Sequence, residues 1–235
     1  KYFLSGSDAS ITLCEAVSKD LLRMRPDADY AVIQHPLYSH FGAKLDREEA
    51  TRKLGIESGK RNILFFGLIR AYKGLDILLN AFSGLGPEYQ LIVAGEPYGS
   101  FDRYQEIIDS LPNKDKVHLW LKYIKDSEVR DYFSAADVTV LPYRSATQSG
   151  ISSVSYHFEV PMIVTGVGGL RETIGNTGTG IVAEDVSAES IRAEIERYFS
   201  DSSVGDCCIS HIREEKKRLS WEKFARDLES FAEEL

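Results

Sequence analysis

The chain has 235 residues, with 28 Lys and Arg against 36 Asp and Glu, and a formal net charge of −8 at pH 7. This balance argues against a dedicated nucleic-acid binder, because neutralising phosphates requires an excess of cationic side chains. Hydrophobic residues make up 43% and charged residues 27% of the sequence, which excludes the disordered and low-complexity classes. We therefore expect a folded domain with a buried core and no nucleic-acid partner.

The three cysteines, Cys14, Cys207 and Cys208, favour a reducing compartment, because an odd number with two neighbours does not make a disulfide framework. No Cys-x-x-Cys motif occurs, and the five histidines show no zinc-like spacing with thiols or carboxylates. The sequence contains no run of about 18 consecutive apolar residues, which is the length needed to span a membrane. We expect no metal site and a cytoplasmic location.

The first part of the chain predicts a strand, a helix and a second strand. The run 9–14 is strand-like, the stretch 15–25 is helix-like, and a strand over 30–36 ends in a turn. A linker helix over 46–54 and a Gly-, Ser- and Lys-bearing turn over 55–60 follow. This part has the composition of the end of one domain and a boundary, and does not start a domain of its own.

From about residue 59 to 201, short apolar runs alternate with helix-length amphipathic stretches, a pattern typical of repeated βαβ units. The predicted strands are 62–66, 89–94, 117–120, 138–141, 161–164 and 180–182. The predicted helices are 75–82, 104–111, 127–135, 149–158, 188–199 and 211–234. Most of the predicted strands lack alternating polar residues, which is typical of strands buried on both faces. The sequence predicts an α/β fold with a Rossmann-like, doubly wound parallel sheet.

The loop after the strand 62–66 carries cations at a place where ligands bind. In an open parallel sheet, ligands lie beyond the carboxyl ends of the strands. Gly67 permits close backbone approach, Arg70 offers a planar fork for phosphate oxygens, and Lys73 adds a point charge, which suits a diphosphate. A solvated basic turn is the alternative, because exposed Lys and Arg are the norm. The Gly-x-Gly-x-x-Gly fingerprint is absent, which disfavours a nicotinamide or flavin dinucleotide.

Two further loops carry weaker signals. Gly95 would admit a nucleotide and Glu96 could meet a hydroxyl group, although a plain turn explains the same residues. Ser149 and Gly150 open a predicted helix whose free N–H groups could bind an anion. Simple capping of that helix by Thr147 or Ser149 is the alternative and needs no ligand.

Together these loops resemble the C-terminal, nucleotide-sugar-binding domain of retaining GT-B glycosyltransferases of family 4. The resemblance runs in order along the whole chain, and it lies in the order and spacing of the motifs more than in any one of them. The matching residues are Phe66 and Gly67 with Arg70, Lys73 and Gly74; 94–96; Tyr123 and Ile124; 135–137 leading to 141–143; 148–150; 161–164; 167–170 with Glu172; and Trp221.

The resemblance implies a donor site in which Arg70 and Lys73 act as catalytic cations on the diphosphate of a nucleoside diphosphate sugar. It implies donor binding by Gly67, Gly95, Glu96, Tyr123, Ile124, Gln148, Ser149, Gly150 and Ile151. The nucleotide sugar is a substrate, and no cofactor is expected. The implied reaction is hexosyl transfer to a glycan or lipid-linked acceptor, with retention of configuration.

The sequence departs from the family at a pair of glutamates that many members use on the donor sugar and ribose. If Gln148 takes the first position, the second is Tyr156; if the register is counted back from Pro161, the pair is Ala146 and Val154. Neither register gives a glutamate. We interpret this as a variant donor pocket in which Gln148 hydrogen-bonds the sugar.

The resemblance also predicts the domain organisation. We expect residues 1–45 to be the tail of an N-terminal acceptor domain with the interdomain linker, 46–205 the donor domain, and 206–235 a C-terminal helix that packs back toward the N-terminal domain. We expect this chain to bind a nucleotide but to transfer sugar slowly or not at all alone, because the closed cleft that orients acceptor and donor is missing. For the full-length protein, the resemblance implies bacterial-type glycan biosynthesis in the cytoplasm, at the inner face of the membrane. The alternative is a noncatalytic nucleotide-binding or interaction module with the same fold.

Overall fold

The computed structural model describes residue 4 and residues 6–235. Residues 1–3 and 5, which belong to the expected tail 1–45, lie outside the described residues. A small parallel sheet pairs β1 (Ala9–Thr12) with β2 (Asp29–Val32) through helix α1 (Glu15–Met24). The connecting segment, residues 33–46, then leads into the main domain.

The main domain is a six-stranded parallel sheet in the order β5-β4-β3-β6-β7-β8, which confirms the predicted doubly wound α/β class. Its strands are β3 (Arg61–Phe66), β4 (Tyr89–Ala94), β5 (Val117–Trp120), β6 (Val138–Leu141), β7 (Met162–Thr165) and β8 (Gly180–Ala183). Its helices are α2 (Arg47–Leu54), α3 (Leu75–Phe82), α4 (Asp102–Ser110), α5 (Asp126–Ala135), α6 (Gly150–His157), α7 (Ala188–Ser200), α8 (Ser202–Arg218) and α9 (Trp221–Glu233).

Both faces of this sheet are covered, which explains the continuous apolar runs. Ile63 and Phe65 of β3 pack on one face in a cluster with residues of α3, α4 and α7. Leu64 and Phe66 pack on the other face with residues of α2, α5 and α6. Because side chains alternate along a strand, a strand covered by helices on both faces needs an apolar residue at every position.

The strand order reverses direction beside β3. The chain runs from β3 outward through β4 to β5, then returns to place β6 on the other side of β3. At such a switch point the loops that follow the two central strands diverge and leave a crevice. The crevice in this chain lies between the loops that follow β3 and β6.

The predicted helix over 211–234 is wrong in its extent. Two helices occupy the region, because α8 already begins at Ser202 and a break follows Arg218. The Asp201 side chain accepts a hydrogen bond from Ser203 N, so the first helix is capped where the sequence offered only a weak apolar pattern. Ser220 Oγ accepts from Lys223 N at 3.1 Å and caps the second helix. Within the described residues, no helix combines the length and the apolar character needed to cross a bilayer.

Candidate functional site

Two glycines hold the loops of the crevice close to one another. Gly95 follows β4 directly and has φ +151°, and a Cβ there would lie 2.0 Å from Gly67 O. Gly74 has φ +69°, and a Cβ there would lie 2.0 Å from Pro142 O. Neither distance is possible for a real side chain, so both positions require glycine. The backbones that follow β3, β4 and β6 therefore meet at one edge of the sheet.

A groove with a volume of about 410 Å³, here the large groove, opens at this edge. It is lined by Tyr38, His40, Phe41, Phe66, Gly67, Leu68, Gly95, Glu96, Tyr123, Ile124, Asp126, Val129, Gly150, Ile151 and Val154. Seven of the residues predicted to bind the donor are among them, and the other two, Gln148 and Ser149, are not. The size falls in the range of about 300–1,000 Å³ that is usual for small-molecule sites.

A second cavity of about 240 Å³, here the cationic pocket, adjoins the large groove. It is lined by Tyr72, Lys73, Tyr143, Gln148, Ser149, Gly150 and Ile151. Gly150 and Ile151 line both cavities, so the two are contiguous at the start of α6. The structure thus brings Gln148 and Ser149 together with Lys73, next to the seven residues of the large groove.

Lys73 is an unusual lysine because its side chain is buried. Burial, with a smaller contribution from the nearby Arg70 charge, lowers the pKa of Lys73 to about 8. Its Nζ lies 5.7 Å from the ring centre of Tyr143, and within the described part of the chain no carboxylate pairs with it. A buried ammonium group without a counter-ion is costly, and a bound anion would remove that cost.

Arg70 lies beside these cavities and contributes to the lining of neither. Its guanidinium stacks over the ring of Tyr98 at 4.3 Å, in the loop after β4. The side chain of Arg70 is exposed, whereas that of Lys73 is buried, so the two predicted cations occupy different surroundings. Stacking leaves the N–H donors at the edge of the guanidinium free to meet a ligand.

The sequence matches the model of a known protein family. The model of the family described as "Glycosyl transferases group 1" matches residues 46–227. The chain belongs to this family of glycosyltransferases. The match covers α2 through most of α9 and includes every strand of the main sheet.

The curated relatives of this chain are distant. A D-inositol 3-phosphate glycosyltransferase from Corynebacterium urealyticum is 22% identical over 234 residues, covering 89% of this chain and 55% of that protein. An uncharacterised glycosyltransferase from Methanocaldococcus jannaschii is 23% identical over 180 residues, covering 75% of this chain and 45% of that protein. The chain spans about half the length of these relatives.

Solved glycosyltransferase structures share the fold. A sucrose-phosphate synthase from Thermosynechococcus elongatus has a TM-score of 0.83 at 21% identity and covers 99% of this chain, which spans 59% of that chain. The Anabaena protein HepE, in a complex with UDP, has a TM-score of 0.85 at 14% identity and covers 97% of this chain, which spans 64% of that chain. These likenesses show a GT-B type, Rossmann-like domain.

In this chain, Ser149 caps α6. Its Oγ accepts a hydrogen bond from Ile151 N at 3.3 Å and lies 3.1 Å from the hydroxyl of Tyr143. Burial raises the pKa of Tyr143 to about 12, so this phenol stays neutral beside the ammonium of Lys73. Capping therefore occurs, and it places the helix start, with Gly150, at the junction of the two cavities.

The two registers considered for the glutamate pair lead to different places. Val154 lines the large groove, whereas Tyr156 points away from it and bonds through its hydroxyl to Thr173 O at 2.7 Å. Gln148 faces the cationic pocket, but its Nε2 donates to Leu13 O at 2.7 Å. Of the two candidate second positions, the one that faces the groove is therefore a valine, and the amide of Gln148 has a protein partner.

Several residues of the large groove were missed by sequence reasoning. Tyr38, His40 and Phe41 come from the connecting segment, and Asp126 opens α5. Only the crowding of rings between His35 and Phe41 could have drawn attention to this segment. Among the described residues, no group of three or more His, Cys, Asp and Glu side chains is placed to hold a metal ion.

Proposed function

We propose that this chain is the donor-binding half of a family 4, retaining GT-B glycosyltransferase. The reaction transfers a hexosyl group from a nucleoside diphosphate sugar to a glycan or lipid-linked acceptor. The observation that carries the proposal is the junction of the large groove with the pocket around Lys73. Anabaena HepE, a structural neighbour, has been crystallised with UDP-glucose, which supports a nucleotide-sugar ligand.

The two cavities suit the two chemical ends of such a donor. Tyr123, with 68% of its surface exposed, and the buried Ile124 offer the large groove an aromatic and an aliphatic surface for a nucleoside. Exposed Glu96 offers an acceptor for hydroxyl groups at the same groove. Lys73 and the start of α6 offer positive charge and N–H donors to a diphosphate at the adjoining pocket.

The chemistry follows from where charge develops. When the bond between the sugar and the diphosphate breaks, negative charge grows on the leaving phosphate oxygens. Lys73 and Arg70 stabilise that charge, and they do so strongly because Lys73 is already held in a low-dielectric site. The acceptor attacks from the face of the cleft that the N-terminal domain contributes.

The proposed domain organisation assigns residues 1–45 to the end of that N-terminal domain and to the linker, and 46–205 to the donor domain. Residues 206–235, which hold most of α8 and all of α9, form a C-terminal part that returns toward the N-terminal domain. The pair β1 and β2 forms a separate small sheet, and none of the residues of α9 is buried, although Trp221 and Leu228 are large and apolar. These surfaces are suited to contact with the N-terminal part of the longer relatives. Alone, the chain is expected to bind donor and transfer sugar slowly, because the acceptor is not oriented.

Calorimetric titration with UDP, GDP, ADP and their sugar conjugates tests donor binding. We expect one nucleotide to bind at micromolar to millimolar concentration. Lys73→Ala and Arg70→Ala should each lower its affinity by about tenfold or more, as for loss of a charge-assisted hydrogen bond. Lys114→Ala is the matched control, because Lys114 is exposed at the amino end of β5, opposite the site. If none of these nucleotides binds, or if all three variants bind the nucleotide with equal affinity, the proposal is contradicted.

A noncatalytic nucleotide-binding module is the second candidate. It is favoured by Val154, which gives the groove an apolar wall on α6, and by the contact of Gln148 with Leu13. Both candidates predict nucleotide binding by this chain. They differ in the full-length protein, where an enzyme transfers hexose from the bound donor at a rate that depends on Lys73 and a module does not.

A further inference from the structure

The large groove is not built from the main domain alone. Tyr38, His40 and Phe41 line it, and all three lie in the connecting segment, outside the six-stranded sheet and its helices. Tyr38 and Phe41 are half-buried against the cluster that also contains Phe66 and Val154. The outer part of the groove therefore depends on where this segment is held.

The connecting segment is fixed on both sides of these rings. Leu37 N donates to Leu219 O at 3.0 Å, and Trp221 Nε1 donates to Leu37 O at 3.2 Å. On the other side, His157 Nε2 bonds Gly42 O at 2.7 Å, and Leu45 N donates to Ser134 Oγ at 2.9 Å. A stretch tied down at both ends is preorganised, so its rings need little further ordering when a ligand arrives.

One contact joins the connecting segment to the helix at the nucleoside end of the groove. His40 Nε2 lies 3.5 Å from Asp126 Oδ2, at the start of α5 and close to Tyr123 and Ile124. The His40 ring also packs on Phe41, with ring centres 4.1 Å apart. This end of the groove is bounded by flat rings with polar atoms at their edges, which matches the shape and chemistry of a nucleobase.

We propose that Tyr38, His40 and Phe41 form a wall of the nucleoside end of the site, so that the connecting segment helps to hold the base of a bound nucleoside diphosphate. The inference rests on the proposed function, because it takes the occupant of the large groove to be a nucleotide. The diphosphate is held elsewhere, at Lys73 in the cationic pocket. The connecting segment thus contributes to the affinity for the base and not to that for the phosphates.

Paired titrations with a nucleoside diphosphate and with inorganic pyrophosphate separate the two ends. Tyr38→Ala, alone or combined with His40→Ala, should weaken binding of the preferred nucleoside diphosphate by about tenfold or more, as for loss of a stacking partner. The affinity of the same variants for pyrophosphate should stay within about twofold of the unsubstituted chain, which also shows that they fold. Lys73→Ala should weaken the binding of both ligands.

Two control variants sharpen the result. Ser39→Ala alters an exposed residue of the same segment that does not line the groove, and Tyr38→Phe keeps the ring. Both should bind the nucleoside diphosphate as the unsubstituted chain does. Unchanged nucleotide affinity in Tyr38→Ala, or a parallel loss of pyrophosphate affinity, would overturn this inference and leave the proposed function standing. Failure of the unsubstituted chain to bind any nucleoside diphosphate would overturn both.

Discussion

At the scale of single residues, the molecule buries one ammonium group, which lowers the stability of the fold. Lys73 is buried, its pKa is lowered to about 8, and the aromatic ring of Tyr143 is its neighbour. Glycine at position 67 makes room for it, because a Cβ there would lie 3.3 Å from Lys73 Nζ and 2.9 Å from Ile151 Cδ1. Such an arrangement weakens the free fold and favours a ligand that brings negative charge.

The lowered pKa predicts that donor binding depends on pH. A bound diphosphate favours the charged form and raises the pKa of Lys73, so affinity is full below pH 8 and falls as pH rises through 8. Between pH 7 and pH 9 we expect the affinity for the nucleoside diphosphate to fall about tenfold. Titration calorimetry in several buffers would also show proton uptake near pH 8. In Lys73→Arg the guanidinium stays charged, and the fall should vanish; a fall of the same size in that variant would assign the titration to another group.

At the scale of elements, the site depends on how closely the strand ends approach. At Gly95, the backbone that follows β4 lies so close to Gly67 in the loop after β3 that only a residue without a side chain fits. This contact aligns the loops that carry Gly67 and Glu96 along the same groove. Precise positioning of the groove is therefore coupled to the packing of the central strands.

We expect Gly95→Ala to destabilise the fold by about 3 kcal/mol, because a methyl group would meet Gly67 O and the backbone would have to shift. Gly99→Ala is the matched control, since Gly99 also has a positive φ, +95°, but a Cβ there would meet nothing within 4 Å. That variant should lose only about 1 kcal/mol, the strain of its backbone conformation. Urea unfolding measures both. Equal losses of unfolding free energy in the two variants would show that the close approach of Gly95 to Gly67 O does not contribute to stability.

The helices and strands also show how much of the structure can be predicted from the sequence. All eight strands begin within one residue of their predicted starts, although the first two end earlier than predicted. The strands of the main sheet leave a clear apolar pattern because helices cover both faces of that sheet. The site residues that follow strand ends could be predicted for the same reason. The wall at Tyr38, His40 and Phe41 could not, because its position depends on tertiary contacts with Leu219 and Ser134. The break between α8 and α9 was missed because a single cap, Ser220, decides it.

At the scale of the whole molecule, the small sheet and the main domain meet beside the cationic pocket. The carboxylate of Glu172 accepts hydrogen bonds from Glu15 N at 3.1 Å, at the start of α1. Gln148 Nε2 donates to Leu13 O, and Cys14 Sγ lies 3.7 Å from Thr147 O. The loop that leads into α6 is therefore braced by the segment proposed to belong to the N-terminal domain. We therefore expect a displacement of that segment to shift Gln148 and the start of α6.

The central claim is that the two contiguous cavities hold one nucleoside diphosphate. A crystal structure of this chain with the nucleotide that binds most tightly tests it directly. The account predicts phosphate oxygens within hydrogen-bond distance of Lys73 Nζ and Gly150 N, with the base in the large groove between Tyr123 and Tyr38. A nucleotide bound elsewhere, or one in the groove with its phosphates turned away from Lys73, would contradict it.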